Sequence, residues 1–234
     1  MEDMDVTVKR INNKQPLGTT AYEEIYRKII TLEYKPGQRL EEKQLVEDLG
    51  IGRTPIREGL LRLATDLMVE SHPNKGFVVR PITLQNTKAV FEALKILELG
   101  AADLAVRQDV DKRLPLMARA NEAVKTAIAH MDVLGLVEAN YDFHLHFARC
   151  STNGYLVRAL HEAWCETNRL AFLSYGNEID PSKSLNDHYE SVVSQHEDVM
   201  AFLGARDETR LKETLREHIQ DFQQRIILYM TSWG

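Results

Sequence analysis

The stretch Leu40–Arg80 leaves few folds open, because it places a short amphipathic helix, a glycine stop, a capped second helix and two β-prone runs in immediate succession. Leu45, Val46 and Leu49 recur at helical spacing, and Gly50 stands where a helix ends. Thr54 then offers an N-cap oxygen before Pro55, and Ile56, Leu60, Leu63, Ala64 and Leu67 form one apolar stripe. Arg53, Thr54, Arg57 and Arg62 fall off that stripe, where they are free to bond phosphates and guanine edges. Beyond this helix, Met68–His72 and Gly76–Arg80 flank the turn chemistry of Pro73-Asn74-Lys75-Gly76, which predicts a two-stranded wing with a basic tip. The order is that of a winged helix-turn-helix, with Lys43, Arg53, Thr54, Arg57, Arg62, Lys75 and Gly76 as the expected DNA contacts.

Upstream, Tyr22, Ile25, Tyr26, Ile29 and Ile30 predict a supporting helix from Thr19 or Thr20 to Glu33, stopped by Pro36-Gly37. Residues 1–16 lack periodicity and read as a flexible arm, which leaves 17–82 for the DNA-binding domain. After the linker Pro81-Ile82-Thr83, residues 83–234 are helical in pattern throughout. Helices are expected at roughly 84–107, 111–131, 133–150, 154–175, 184–204 and 207–230. The fold class is therefore mainly α: an N-terminal winged helix-turn-helix followed by an all-α bundle of six helices.

The net charge of −6 runs against nucleic-acid binding until it is divided near Ile82. Before that point 13 Lys and Arg balance 13 Asp and Glu, and 16 face 22 after it. DNA affinity then rests on local placement of arginines and on pairing of two copies, not on a broadly basic surface. Cys150 and Cys165 lie far apart without CxxC spacing, which favours buried free thiols in a reducing compartment. No stretch has the length of a membrane span and Met1–Asp5 lacks signal-peptide character, so a cytoplasmic protein without a membrane partner is expected.

In the bundle, His144, His196 and His218 each sit within the apolar stripe of a different helix, and Asn140 precedes His144 by one turn on the same face. A single histidine so placed is ordinarily a hydrogen-bonded core residue. Three inward imidazoles with one oxygen also make a donor set for a divalent transition metal, zinc first and nickel as the alternative.

The segments "RLEEKQLVEDLGIGRTPIREGLLRL" and "PNKGFVV" resemble the winged helix-turn-helix of the GntR family of bacterial transcription regulators. That family usually has serine before the arginine, alanine at the place of Gly59 and Glu-Gly near Thr65-Asp66. Gly52 thus lacks a hydroxyl, and Asp66 is expected to take the helix-ending conformation that glycine adopts more easily. The C-terminal part, through "FHLHFARCSTNGYL", "HEDVMAFLGARD" and "REHI", resembles the FCD ligand-binding domain of the FadR branch. The resemblance implies a metal held by one aspartate and three histidines beside a small carboxylate effector. His144, His196 and His218 match the histidines, while Asn140 stands at the aspartate, leaving four neutral ligands. Arg169 and Lys95 are the basic candidates for the effector carboxylate. The implied function is a homodimeric repressor of catabolic genes, with tetramers left open, that binds an inverted-repeat operator and responds to an organic acid. The competing readings are a regulator that senses metal directly and a helical metallohydrolase. The hydrolase lacks an HExxH pattern and a general base, and leaves the winged helix unexplained.

Overall fold

The computed structural model describes residues 15–73, 76–180 and 183–232. Of the expected arm, residues 1–14 lie outside this set, and Pro16 already serves as the N-cap of helix α1 (Leu17–Ile30). Ala21, Ile25 and Ile29 of α1 are fully buried against Ile56, Leu60 and Leu63 of α3 (Arg53–Thr65), as the two apolar stripes require. Between them α2 (Glu42–Leu49) ends at Gly50, which adopts φ 65° and donates its N–H to the Val46 carbonyl at 3.1 Å. That left-handed cap is why glycine stands there.

Local details differ from the sequence expectation. The recognition helix starts at Arg53, with Gly52 as N-cap and no side-chain cap bond, so Thr54-Pro55 lies inside the first turn. At its other end Asp66 keeps φ −85°, and the left-handed residue is the next one, Leu67, at φ 58°. Asp66 is thereby left with a side chain held by tertiary partners. Arg39–Leu40 is not the start of α2 but a short strand, β1, paired antiparallel with Val78 and Phe77 of β3 (Gly76–Val79). With β2 (Val69–His72) the wing becomes a three-stranded sheet in the order β1-β3-β2. A two-residue strand carries no periodicity, and only burial of Leu40 in the finished domain defines it.

Six helices follow among the described residues: α4 (Leu84–Ala105), α5 (Leu114–Ala129), α6 (Val133–Cys150), α7 (Gly154–Tyr175), α8 (Leu185–Gly204) and α9 (Glu208–Ser232). Side-chain caps mark the starts of α4, α6, α7 and α8. Thr83 accepts from the Asn86 N–H, Asp132 from Gly135, Asn153 from Tyr155 and Leu156, and Ser184 forms a capping box with Asp187. The expected start of α5 at residue 111 moves to Leu114, because the Arg113 and Leu114 amides first close a turn on the Val110 carbonyl. Both cysteines are free and buried, and burial pushes the Cys150 thiol up to about 11. Among the described residues no helix is long and apolar enough to cross a membrane.

α7 sits differently from its neighbours. Its residues Ala163–Ala171 are buried all round, including Glu166, Thr167, Asn168 and Arg169, because the DNA-binding domain lies on one side and the bundle on the other.

Gly59 shows how closely α1 and α3 approach. A Cβ there would stand 2.8 Å from the Tyr22 backbone nitrogen and 3.1 Å from the Ala21 carbonyl carbon, neither of which can rotate away. Gly59→Ala should gain roughly 1 kcal/mol of helix propensity and lose about 1–3 kcal/mol to overpacking, so overpacking is expected to win. A lower denaturant midpoint at constant slope is expected, and an unchanged or higher midpoint would contradict the close-packing account.

Candidate metal centre and DNA-facing helix

The bundle brings His144 of α6, His196 of α8 and His218 of α9 together, with ligand-capable nitrogens all within 4.8 Å of one another. All three are buried. Apolar rings wall the cluster: Phe143 stacks on His196 at 3.7 Å between centroids, and Trp164 on His144 at 4.1 Å.

Each ring directs Nδ1 outward to an oxygen. His144 Nδ1 is 2.9 Å from Glu98 Oε1, His218 Nδ1 is 2.8 Å from Gln195 Oε1, and His196 Nδ1 is 3.0 Å from Asn121 Oδ1. Both amides are oriented by their other ends, since Asn121 Nδ2 donates to the Val193 carbonyl and Gln195 Nε2 to Asp221. Facing oxygen acceptors, the three Nδ1 atoms serve as donors, and the three Nε2 atoms are turned toward one another. His144 Nε2 and His218 Nε2 approach to 3.1 Å, and His196 Nε2 has no hydrogen-bond partner. Lone pairs facing each other in an apolar interior are unfavourable unless a proton or a cation lies between them. Burial, followed by the neighbouring imidazoles, holds His196 and His218 well below the usual histidine range, which disfavours a proton on the inner nitrogen of either ring. The donor set fits a divalent transition-metal ion, and the outward hydrogen bonds are of the kind that orient metal-ligating histidines.

Asn140 is buried on α6 one turn before His144, and its Oδ1 lacks a hydrogen-bond partner. A bare amide oxygen of this kind fits a fourth donor. Glu98 of α4 escaped the sequence reading. It is 0% exposed, and its Oε1 accepts from both His144 Nδ1 and Trp164 Nε1, each at 2.9 Å. Thus the carboxyl group that Asn140 does not provide is present one hydrogen bond further out.

The two effector candidates lie elsewhere. Arg169 is 0% exposed, and its Nη1 donates to the Arg80 carbonyl at 2.5 Å while its Nη2 meets Glu166 at 3.2 Å, so it ties the bundle to the DNA-binding domain. Lys95 is exposed on the outer face of α4, three residues before the inward Glu98. Neither presents its charge to the histidines.

On the DNA-binding domain, Arg53, Thr54 and Arg57 line one open groove with Glu58 and Leu61. Arg53 Nε is held by Glu42 of α2 at 2.8 Å, which sets the side chain across the helix-turn-helix elbow. Lys43 is exposed on α2, and Gly76 opens β3 with φ 75°. Lys75 lies outside the described residues. Arg62 belongs to a different face: its Nη1 bonds Thr19 Oγ1 at 3.2 Å and its guanidinium covers the Tyr22 ring at 4.4 Å, so it braces α1.

Comparison with known proteins agrees with this division. The model of the FCD domain matches residues 89–221, and that of the bacterial regulatory proteins of the gntR family matches residues 17–79. The Nta operon transcriptional regulator of Aminobacter aminovorans is 24% identical over 85% of this chain and 89% of its own length. The HTH-type transcriptional repressor RspR of Escherichia coli is 19% identical over 93% of this chain and 92% of its own. Among solved structures, E. coli McbR/YncC superposes with a TM-score of 0.76 at 23% identity, covering 94% of this chain and all of that one, which shows a shared fold. A winged helix with arginines at the start of its second helix, carried on a bundle of this kind, therefore places the chain in the GntR family of bacterial regulatory proteins, with an FCD domain as its C-terminal part.

Proposed function

We propose that this regulator is a FadR-type repressor of catabolic genes that works in the cytoplasm as a homodimer, and that a small organic acid bound at a metal in the bundle changes its operator affinity. The observation that carries this reading is the convergence of three Nε2 atoms whose outer nitrogens are all engaged. His144, His196, His218 and the Asn140 amide oxygen would hold the ion, with zinc favoured by the imidazole-rich set. A bound divalent ion supplies the positive charge that a carboxylate seeks. With Arg169 engaged by the DNA-binding domain and Lys95 on the outer face of α4, the ion is the charge an effector would meet there. The effector then shifts the two DNA-binding domains between arrangements by its differential affinity for them. Names among the relatives support the direction, one being a repressor and another an operon regulator.

The close packing of the three rings, with centroids 5.0–5.4 Å apart, favours a second reading in which metal alone is the signal. Operator release by zinc without any organic acid would support it. Release by a carboxylate while zinc stays bound supports the first.

Three outcomes are expected. Arg53→Ala and Arg57→Ala should each cost on the order of 1–3 kcal/mol at an operator selected with the wild-type protein, read by titration at fixed salt. Equal affinity in the variants would remove these arginines from recognition. Second, because the DNA-binding domain has no broad positive surface, footprints should cover an inverted repeat and light scattering should give a dimer. A monomer protecting a single half-site would contradict this.

Third, the purified protein should hold about one zinc per chain, with affinity falling roughly 10–100-fold in Glu98→Gln through loss of the His144 orienting acceptor. His196→Ala should lose the metal. Asn140→Asp should retain zinc more tightly against a chelator and bind a carboxylate less well, because the added charge cancels part of the ion's field. Stoichiometric zinc in His196→Ala, or none in the wild type, would return the histidines to the status of core residues.

A further inference from the structure

We propose that α7 carries the state of the histidine site to the DNA-reading helix, and that His161 is the positioning residue at the junction. This rests on the metal reading of the histidines given above.

The chemistry of α7 is unusual for a helix with no exposed face in its middle. Glu166, Thr167, Asn168 and Arg169 are consecutive polar residues in an apolar setting, where each costs free energy unless it is paired. Three of these four pair with the DNA-binding domain. Asn168 Nδ2 donates to the Tyr26 hydroxyl of α1 at 2.9 Å. Arg169 Nη1 donates to the Arg80 carbonyl just after the wing; Glu166 Oε1 accepts from Arg169 Nη2 at 3.2 Å, and its Oε2 forms an ion pair with Arg80 Nη1 at 3.6 Å. One turn and more earlier, His161 Nε2 lies 3.3 Å from Asp66 Oδ1. Asp66 is the residue that ends the recognition helix α3, and its other oxygen accepts from the Tyr22 hydroxyl at 2.7 Å. One helix thus grips α1, the end of α3 and the strand that leaves the wing.

The same helix touches the candidate metal centre. Trp164, three residues after His161, donates to the Glu98 oxygen that also accepts from His144, and its indole stacks on the His144 ring. A second link runs from α6: Tyr141, the residue after Asn140, lies 2.5 Å by its hydroxyl from His161 Nδ1. An ion that fixes the His144 ring fixes Glu98 and Trp164 with it, and a close-packed helix transmits that placement as a rigid body. At the far end, a cleft of about 830 Å³ lined by Tyr22, Arg62, Asp66, Tyr141 and His161 opens beside the junction. The two domains are therefore held there by a few directed hydrogen bonds next to open space, and those bonds can re-form at another angle.

The test uses the full chain with zinc as the probe. Amide hydrogen exchange of α1 and α3 is compared in zinc-saturated and chelator-stripped protein, with elemental analysis of each sample. Wild-type protein should gain about fivefold or more protection in these two helices on zinc binding, the range of ordinary allosteric coupling. His161→Leu and Asp66→Ala, which break the junction from opposite sides, should keep one zinc per chain yet lose most of that gain. The double variant should lose no more than either single one, since all three remove the same link. His161→Gln, able to bond Asp66, should retain the gain. Full zinc-dependent protection in either breaking variant overturns the role of His161. Zinc bound to wild type without any change in α1 and α3 overturns transmission through α7. Absence of bound zinc in wild type is a separate result: it removes the metal reading, and the transmission with it.

Discussion

A neutral imidazole in a dry interior needs a donor partner on one nitrogen and an acceptor partner on the other, and three imidazoles facing each other can meet that need in few ways. Here Glu98, Asn121 and Gln195 take the outer protons, which commits every inner nitrogen to acceptor character. Much of the bundle is arranged around this commitment. α4 supplies Glu98, α5 supplies Asn121, α8 supplies both Gln195 and His196, and α6 and α9 supply the other rings. Trp164 from α7 closes the cluster by bonding the same carboxylate oxygen. A divalent cation between the three Nε2 atoms would satisfy them together, whereas protonation of His196 or His218 would place charge where burial opposes it.

Glu98 also changes how charge is distributed. With Asn140 in the position where the family resemblance implies aspartate, an ion held as proposed would keep its full charge among neutral ligands, and the nearest carboxyl group, Glu98, stands behind His144. A carboxyl group hydrogen-bonded behind a ligating imidazole orients that ligand and raises its basicity. Under the proposed reading, that distribution would favour an anion beside the ion at some cost in metal retention.

Long, periodic features were legible in the sequence. The apolar stripes of α1 and α3, the Gly50 stop and the bundle helices follow from spacing and caps, and helical spacing alone puts the three histidines on inward stripes. Features that depend on the assembled molecule were not. β1 is two residues long and exists only because β3 lies beside it. Arg169 reads as a free cation in the sequence, yet the DNA-binding domain covers it and claims its donors. Arg62 falls off the apolar stripe as Arg53 and Arg57 do, but Tyr22 and Thr19 draw it to α1. Glu98 did leave a signal: it follows Phe91 and Leu94 and precedes Ala101, Ala102 and Ala105 on the stripe that faces inward. A carboxylate inside an apolar stripe asks for a buried partner, and that question leads to His144.

The proposed function rests on a metal ion held by the three Nε2 atoms. Anomalous diffraction from crystals of the zinc-loaded protein, recorded on both sides of the zinc absorption edge, tests it most directly. The account predicts one strong difference peak about 2.0–2.1 Å from Nε2 of each of His144, His196 and His218, the ordinary zinc–imidazole distance. A cluster with no peak, its rings turned so that Nε2 donates to a neighbour, would contradict it.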